Sequence, residues 1–203
     1  MKGGLGTVIL AGGSSRRMGR PKLLLRWGGT SILGHQLGIW QQLGAAQISV
    51  VYAAADELLN EELDRQGVPA QNRIVNSNPE DGMFSSVRCA AMWNGWMPNL
   101  THCAITLGDQ PHLRLETLKA VITLSRKQPD RVCQPQYLGH AGHPVILPRA
   151  IFEQLKTTDA PTLKDFLASR PSVSCEVSDP GLELDIDTPA DYERALRLFQ
   201  ATA

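Results

Sequence analysis

An α/β fold built on a mostly parallel sheet is predicted by three observations on this sequence. Short apolar, β-branched runs alternate with segments of helical periodicity from the first residues onward, the pattern of repeated βαβ units. The length, 203 residues, suits one sizeable core. No internal repeat, low-complexity stretch or linker interrupts the chain, so residues 1–203 read as a single domain.

The elements follow in order. Thr7–Leu10 reads as a strand, and Ser31–Leu43 as a helix capped by Thr30 or Ser31. Gln47–Ala53 (QISVVYA) is a β-branched strand, followed by a helix over Asp56–Gln66. Arg73–Val75 is a short strand, and Gly82–Trp96 a helix opened by Glu80 and Asp81. His102–Leu107 (HCAITL) is a buried strand, and Leu113–Lys127 the next helix. After Asp130 the texture changes. Strands at Val132–Gln136 and Pro144–Leu147 flank a loop rich in glycine and histidine. Short helices at Arg149–Leu155 and Pro161–Ala168 precede strands near Val173–Val177 and Leu184–Ile186. A last helix, Pro189–Phe199, has Thr188 as N-cap and proline in its first turn.

Bulk properties exclude several classes. Twenty basic residues balance twenty acidic ones, so nothing draws the whole chain to nucleic acid or an anionic membrane. No apolar run approaches the roughly 20 residues that span a bilayer, and the N-terminal stretch is too short for a secretory signal. Cytoplasm is the expected compartment. The four cysteines lack CxxC spacing and read as reduced, buried thiols, and the five histidines show no zinc spacing.

Chemistry concentrates where strands end, because ligands of open α/β sheets sit beyond the strands' carboxyl ends. LAGGSSRRMGRPK (10–22) gathers three glycines and four cations directly after the first strand. Such a turn aims backbone N–H groups into one concavity, while arginine forks and a lysine point charge suit a di- or triphosphate. It is neither a P-loop nor a dinucleotide fingerprint, since Gly13 and Gly19 are six apart, Arg20 follows, and GxGxxG is missing. Chemistry on a di- or triphosphate also needs a divalent cation held by one or two carboxylates. Asp109, just past the strand in ITLGDQPHL, is the first candidate, with Gly108 admitting close backbone. In LELDIDTPADY, Asp185 and Asp187 alternate with Leu184 and Ile186. Both can therefore point to one face, and Asp187 is the preferred second ligand.

Leu10, Ala11, Gly13, Ser15, Arg17, Met18, Gly19 and Lys22 match the pattern LAxGxSxRMGxxK, which resembles the start of nucleotidyltransferases that activate sugars, alditol phosphates and molybdopterin. LGDQP, GHPVILPRAIFEQL, DIDTPADYERAL and NPEDGMFSSVRCA extend the likeness to molybdenum cofactor cytidylyltransferases, which act on molybdopterin destined for enzymes of the xanthine dehydrogenase type. The resemblance implies a Rossmann-like three-layer sandwich of the nucleotide-diphospho-sugar transferase kind, and a Mg2+-dependent transfer of CMP from CTP to the acceptor's terminal phosphate. It implies a nucleotide site at Leu10, Ala11, Gly12, Gly13, Ser15, Arg17, Lys22, Gly82, Ser85 and Ser86. Lys22, Arg17 and Asp109 would be catalytic, Gln110, Gly142 and His143 would face the acceptor, and Asp109 and Asp187 would hold the metal.

One position departs from the pattern: Gly12 stands where these cytidylyltransferases carry alanine, and molybdenum cofactor guanylyltransferases carry LAGG. The guanylyl pattern in turn favours cysteine where this chain has Gly108. The alternatives are therefore GTP with the same acceptor, a sugar or alditol phosphate acceptor, or a non-catalytic nucleotide-binding cofactor chaperone. A labile product also implies hand-over to a chaperone or apo-molybdoenzyme. Met92, Trp93, Trp96 and Met97 are read first as core packing and second as a contact patch.

Overall fold

The computed structural model describes residues 3–13 and 16–200. Its elements are β1 (Gly4–Leu10), β2 (Arg26–Trp27), β3 (Thr30–Ser31), α1 (Ile32–Gln42), β4 (Gln47–Ala53), α2 (Glu57–Arg65), β5 (Arg73–Asn76) and α3 (Met83–Met92). They continue with β6 (Leu100–Leu107), α4 (Leu115–Lys127), β7 (Val132–Tyr137), β8 (His140–Ala141), β9 (Val145–Pro148), α5 (Arg149–Gln154), α6 (Leu163–Ala168), β10 (Ser172–Glu176) and α7 (Pro189–Gln200).

The main sheet runs β10-β7-β9-β6-β1-β4-β5, with β8 attached to β7. β1 pairs in parallel with both β4 and β6, β4 with β5, and β10 with β7, whereas β9 runs antiparallel to β6 and β7. The predicted α/β class with a mostly parallel sheet is what the chain adopts. Leu10 stands opposite Val51 on one side and Leu107 on the other, so three strand ends finish on one edge. Chain order also reverses there: from β1 the path goes outward to β4 and β5, then returns across to β6. A ligand crevice belongs at such a reversal.

Alternating residues of β1 feed two cores. Ile9 faces Trp27, Ile32, Leu33 and Trp40 in one cluster with residues of α1, α2, α4 and α7. Val8 and Leu10 face Val87, Ala90, Phe152 and Phe166 in another, with α3, α5 and α6. Helix layers therefore cover both faces of the sheet. Ser31 caps α1 by accepting from the Gly34 N–H, and Asp56 caps α2 by accepting from Leu59. Thr188 accepts from Asp191 N–H while its own N–H and hydroxyl donate to the Asp191 carboxylate, a reciprocal cap at the start of α7.

Two expectations are corrected. The third helix ends at Met92 rather than Trp96, because Trp93 turns to extended backbone. Trp96 then packs against Phe152 and Trp93 and donates its indole N–H to Ala90 O at 2.8 Å. Trp96 is thus core, whereas Met92 and Met97 are exposed. No strand forms at 184–186: Pro180–Glu183 is a 3-10 turn, and the following residues run extended without a ladder. Both sides of β6 are already taken, by β1 and β9, so a further strand has no open edge there. Among the described residues, no helix is long and apolar enough to cross a membrane.

Candidate active site

The cationic loop leaves β1 at the reversal point. Ala11 N–H bonds to Val51 O at 2.8 Å and Gly108 N–H to Leu10 O at 3.0 Å, so these groups of Leu10 and Ala11 belong to the sheet edge. Gly108 is obligatory, since a Cβ there would stand 2.9 Å from the Leu10 carbonyl oxygen. Gly19 holds a φ of +67°, and buried Met18 and Leu23 anchor the loop from below. Ser15 lies outside the described residues.

Lys22 follows on a 3-10 turn and is buried. Its ammonium donates to the Asp109 carboxylate, and to Asp187 Oδ1 at 3.1 Å. Arg17, exposed on the same loop, donates to the other Asp187 oxygen at 2.5 Å. Residues from the first strand end, the β6–α4 turn and the segment before α7 thus meet at one point. Burial by itself would lower the Lys22 pKa. The Asp109 and Asp187 charges outweigh it and raise the pKa, so the side chain is a permanent cation.

Asp185 does not join this group. It accepts from Gln110 Nε2 at 2.9 Å, and desolvation together with the Asp109 charge raises its pKa. Of the two alternating acids, Asp187 is the one that reaches Lys22. Gln110, expected on the acceptor side, is buried and donates its Nε2–H to Asp185.

Two carboxylates that share one ammonium can converge on one small cation. Their hard oxygens suit Mg2+, which takes one or two protein carboxylates and fills its octahedron with phosphate oxygens and water. Among the described residues no group of three or more His, Cys, Asp or Glu side chains forms a self-sufficient metal cage. The donor set fits a cation brought in with a polyphosphate.

Beside Lys22 opens a cleft of about 730 Å3 lined by Gly12, Gly13, Pro21, Gly82, Met83 and Ser86, among others. Gly13 lies along Lys22, with its Cβ position 3.8 Å from Nζ. Gly82, at φ +84°, turns the chain into α3. Ser86 is on the cleft wall; Ser85 is not. The Ser85 hydroxyl donates to Gly82 O at 2.7 Å, and the residue lines a neighbouring groove. Asn76, which the sequence reading did not single out, donates through Nδ2 to both serine hydroxyls, at 2.8 and 3.0 Å. Its signal was available: an amide side chain at the carboxyl end of the strand RIVN, on the edge where ligands sit.

A second cleft of about 650 Å3 adjoins the first, with Met83 bordering both. Gly142 and His143 line it together with Gln134, Lys164 and Leu167. His143 Nδ1–H donates to Ile105 O at 3.2 Å, which leaves Nε2 as the acceptor. Burial pulls the His143 pKa down, and the Ile105 carbonyl and Asp109 only partly offset it, so the ring is neutral at pH 7. The four cysteines are free; Cys103 and Cys133 are buried thiols pushed up to about 11, and neither lines the clefts.

The chain is similar to known proteins over nearly its whole length. Over 186 residues, 91% of this chain and 92% of the other, the sequence is 25% identical to the molybdenum cofactor cytidylyltransferase of Escherichia coli strain K12. The crystal structure of Rv0371c from Mycobacterium tuberculosis H37Rv is 26% identical, with a TM-score of 0.73 over 97% of this chain and 100% of that one. A nucleotidyl transfer enzyme from Methanothermobacter thermautotroptrophicus, 18% identical, shares the fold with a TM-score of 0.77 over 98% and 99% of the two chains. The profile of the MobA-like NTP transferase domain matches residues 7–173, which hold the cationic loop, both clefts' glycines and Asp109. The chain is a nucleotidyltransferase and belongs to the MobA-like NTP transferase family.

Proposed function

We propose that this enzyme, acting as one unit over residues 1–203, transfers the nucleoside monophosphate of CTP to the terminal phosphate of a molybdopterin-type acceptor and releases pyrophosphate. The observation that carries the reading is the contact of the Lys22 ammonium with Asp109 and Asp187 beside the glycine-lined cleft.

The nucleotide occupies the cleft bordered by Gly12, Gly82 and Ser86, its triphosphate running along Gly13 towards Lys22. Lys22 and Arg17 are the cations that meet the phosphate oxygens, and Asp109 and Asp187 would be the residues to hold Mg2+. When bound, Mg2+ neutralises charge on the phosphate oxygens around the attacked phosphorus. An acceptor in the cleft at Gly142 and His143 extends its terminal phosphate past Met83 towards the α-phosphorus. One acceptor oxygen forms the new P–O bond in line as the bond to pyrophosphate breaks. Lys22 and Arg17 hold the departing charge. No general base is required, because a phosphate nucleophile is already ionised at pH 7. Catalysis is positioning and charge neutralisation.

A second reading, with GTP as donor, is favoured by one observation. A Cβ on residue 12 would approach Ser86 Oγ to 3.2 Å, so Gly12 leaves the cleft wider at the point where alanine would narrow it. Resemblance to the Escherichia coli cytidylyltransferase supports CTP; Gly12 supports the purine. Delivery of the labile product to a chaperone or apo-molybdoenzyme of the xanthine dehydrogenase type, in the cytoplasm, belongs to the same proposal.

The test is pyrophosphate release on mixing the protein with Mg2+, CTP or GTP, and molybdopterin. Turnover abolished in Asp109→Asn supports the assignment. Turnover with a sugar or alditol phosphate and no pterin would replace the acceptor. Tight nucleotide binding without pyrophosphate release under any acceptor would make the protein a binder, not an enzyme of this reaction.

A further inference from the structure

Asp187 reaches Lys22 from a segment that has no sheet to hold it. Residues 178–186 are tied instead to the turn and helix start that follow Asp109, by bonds at nearly every other position. Arg114 donates its guanidinium Nη1–H to Ser178 O at 2.8 Å. Buried Asp179 accepts from the Arg114 backbone N–H at 2.9 Å and the Thr117 hydroxyl at 2.7 Å through one oxygen, and from Gly181 N–H at 3.0 Å through the other. Buried His112 donates Nε2–H to Gly181 O at 3.0 Å. Gln110 donates to Asp185, and Ile186 N–H to Asp109 O at 3.2 Å. The His112 ring is backed by Trp27, with centroids 6.5 Å apart.

We propose that this ladder, with His112 and Asp179 as its buried rungs, is the positioning device that carries Asp187 to the metal and phosphate site. The proposal rests on Asp187 acting as the second carboxylate. An extended segment without a ladder strand has soft dihedrals, so its carboxylate wanders unless something else fixes it. Asp179 fixes the segment's start against the N-terminus of α4, and its Asx-type bond to Gly181 sets the 3-10 turn. His112 holds the carbonyl of Gly181 within that turn, four residues before Asp185. The turn between β6 and α4 carries both Asp109 and His112, so a shift in one carboxylate's support is felt by the other. His112 and Asp179 touch no substrate in this scheme and act through Asp187.

The experiment measures Mn2+ affinity by electron paramagnetic resonance in the presence of CTP or GTP, together with kcat, KM and Tm. The variants are His112→Leu, His112→Gln, Arg114→Met, Asp187→Asn and Phe166→Leu. Gln places an N–H donor close to the position of the histidine Nε2–H, so His112→Gln should recover what His112→Leu loses. Expected is at least a five-fold weaker Mn2+ affinity and a matching fall in kcat for His112→Leu, with nucleotide KM changed less than two-fold. Arg114→Met, a milder cut in the same ladder, should show a smaller loss of the same kind and serves if His112→Leu does not fold. Phe166→Leu, in the opposite core, should lower Tm without moving Mn2+ affinity. If Asp187→Asn weakens Mn2+ but neither His112→Leu nor Arg114→Met does, the positioning role is wrong while the site stands. If Asp187→Asn itself leaves Mn2+ affinity unchanged, the two-carboxylate reading beneath it fails.

Discussion

Lys22 and Asp109, separated by 87 positions in the chain, make direct ammonium–carboxylate contact. The pair joins the phosphate-type loop after β1 to the turn after β6, the two parallel neighbours at the reversal of strand order. A buried lysine with two carboxylates at its tip costs desolvation, and the two charges around it more than offset that cost.

Lys22→Ala should fold and should lose the chemical step. Removing a cation that meets charge on the leaving pyrophosphate costs roughly 3–4 kcal/mol, about 10²–10³ in kcat. Steady-state pyrophosphate release checks it; a kcat within three-fold of wild type would remove Lys22 from the mechanism.

The three acids should separate. Asp109→Asn and Asp187→Asn each remove a carboxylate that meets Lys22, and both should lower activity by at least 100-fold and weaken Mn2+ binding. Asp185→Asn keeps an acceptor for Gln110 and should retain activity within about ten-fold. Equal losses at Asp185 and Asp187 would undo the distinction drawn from their contacts.

Gly12→Ala should shift the ratio of kcat/KM towards CTP and away from GTP. The added methyl would stand 3.2 Å from Ser86 Oγ and narrow the cleft there. Side-by-side kinetics with the two nucleotides read the shift directly, and an unchanged ratio would place base selection elsewhere.

Acid should destabilise the fold before the carboxylates protonate. Burial lowers the pKa of His35, His112 and His143 below the ordinary value of 6.5, more than carbonyl contacts restore it. A base whose folded pKa is depressed contributes full stability above 6.5. That contribution is lost as the pH falls from 6.5 through the lower folded value, since the unfolded chain takes up protons first. Each such group adds a slope of about 1.4 kcal/mol per pH unit within its window. Thermal unfolding between pH 7.5 and 5.5 should show the decline, and His112→Gln should flatten it.

Much of the fold could be read from short-range pattern. The bounds of β4 and the cap at Thr188 follow from a β-branched run and from a polar residue ahead of apolar periodicity, while the first cap falls on Ser31 of the two candidates and Asp56 caps its helix from just outside it. The hairpin of β2 and β3 escaped, because strands of two residues carry no period; only Gly28-Gly29 marked its turn. The segment 184–186 misled for the opposite reason. Leu184 and Ile186 are buried and the acids between and after them point away, as in a strand, yet no open edge was there to receive it.

For the site, residue chemistry and strand ends singled out the cationic loop, Asp109 and Asp187, whose side chains the fold brings together. The exclusion of Ser85 from the cleft and the ladder through His112 and Asp179 were out of reach. The chain alone determined most of the strands and helices and where cations and glycines gather, because dihedral preference, periodicity and local charge act within a few residues. Only the tertiary structure decided which side chains share a space: Lys22 and Asp187 lie 165 positions apart, and packing across the sheet alone could bring them to 3.1 Å.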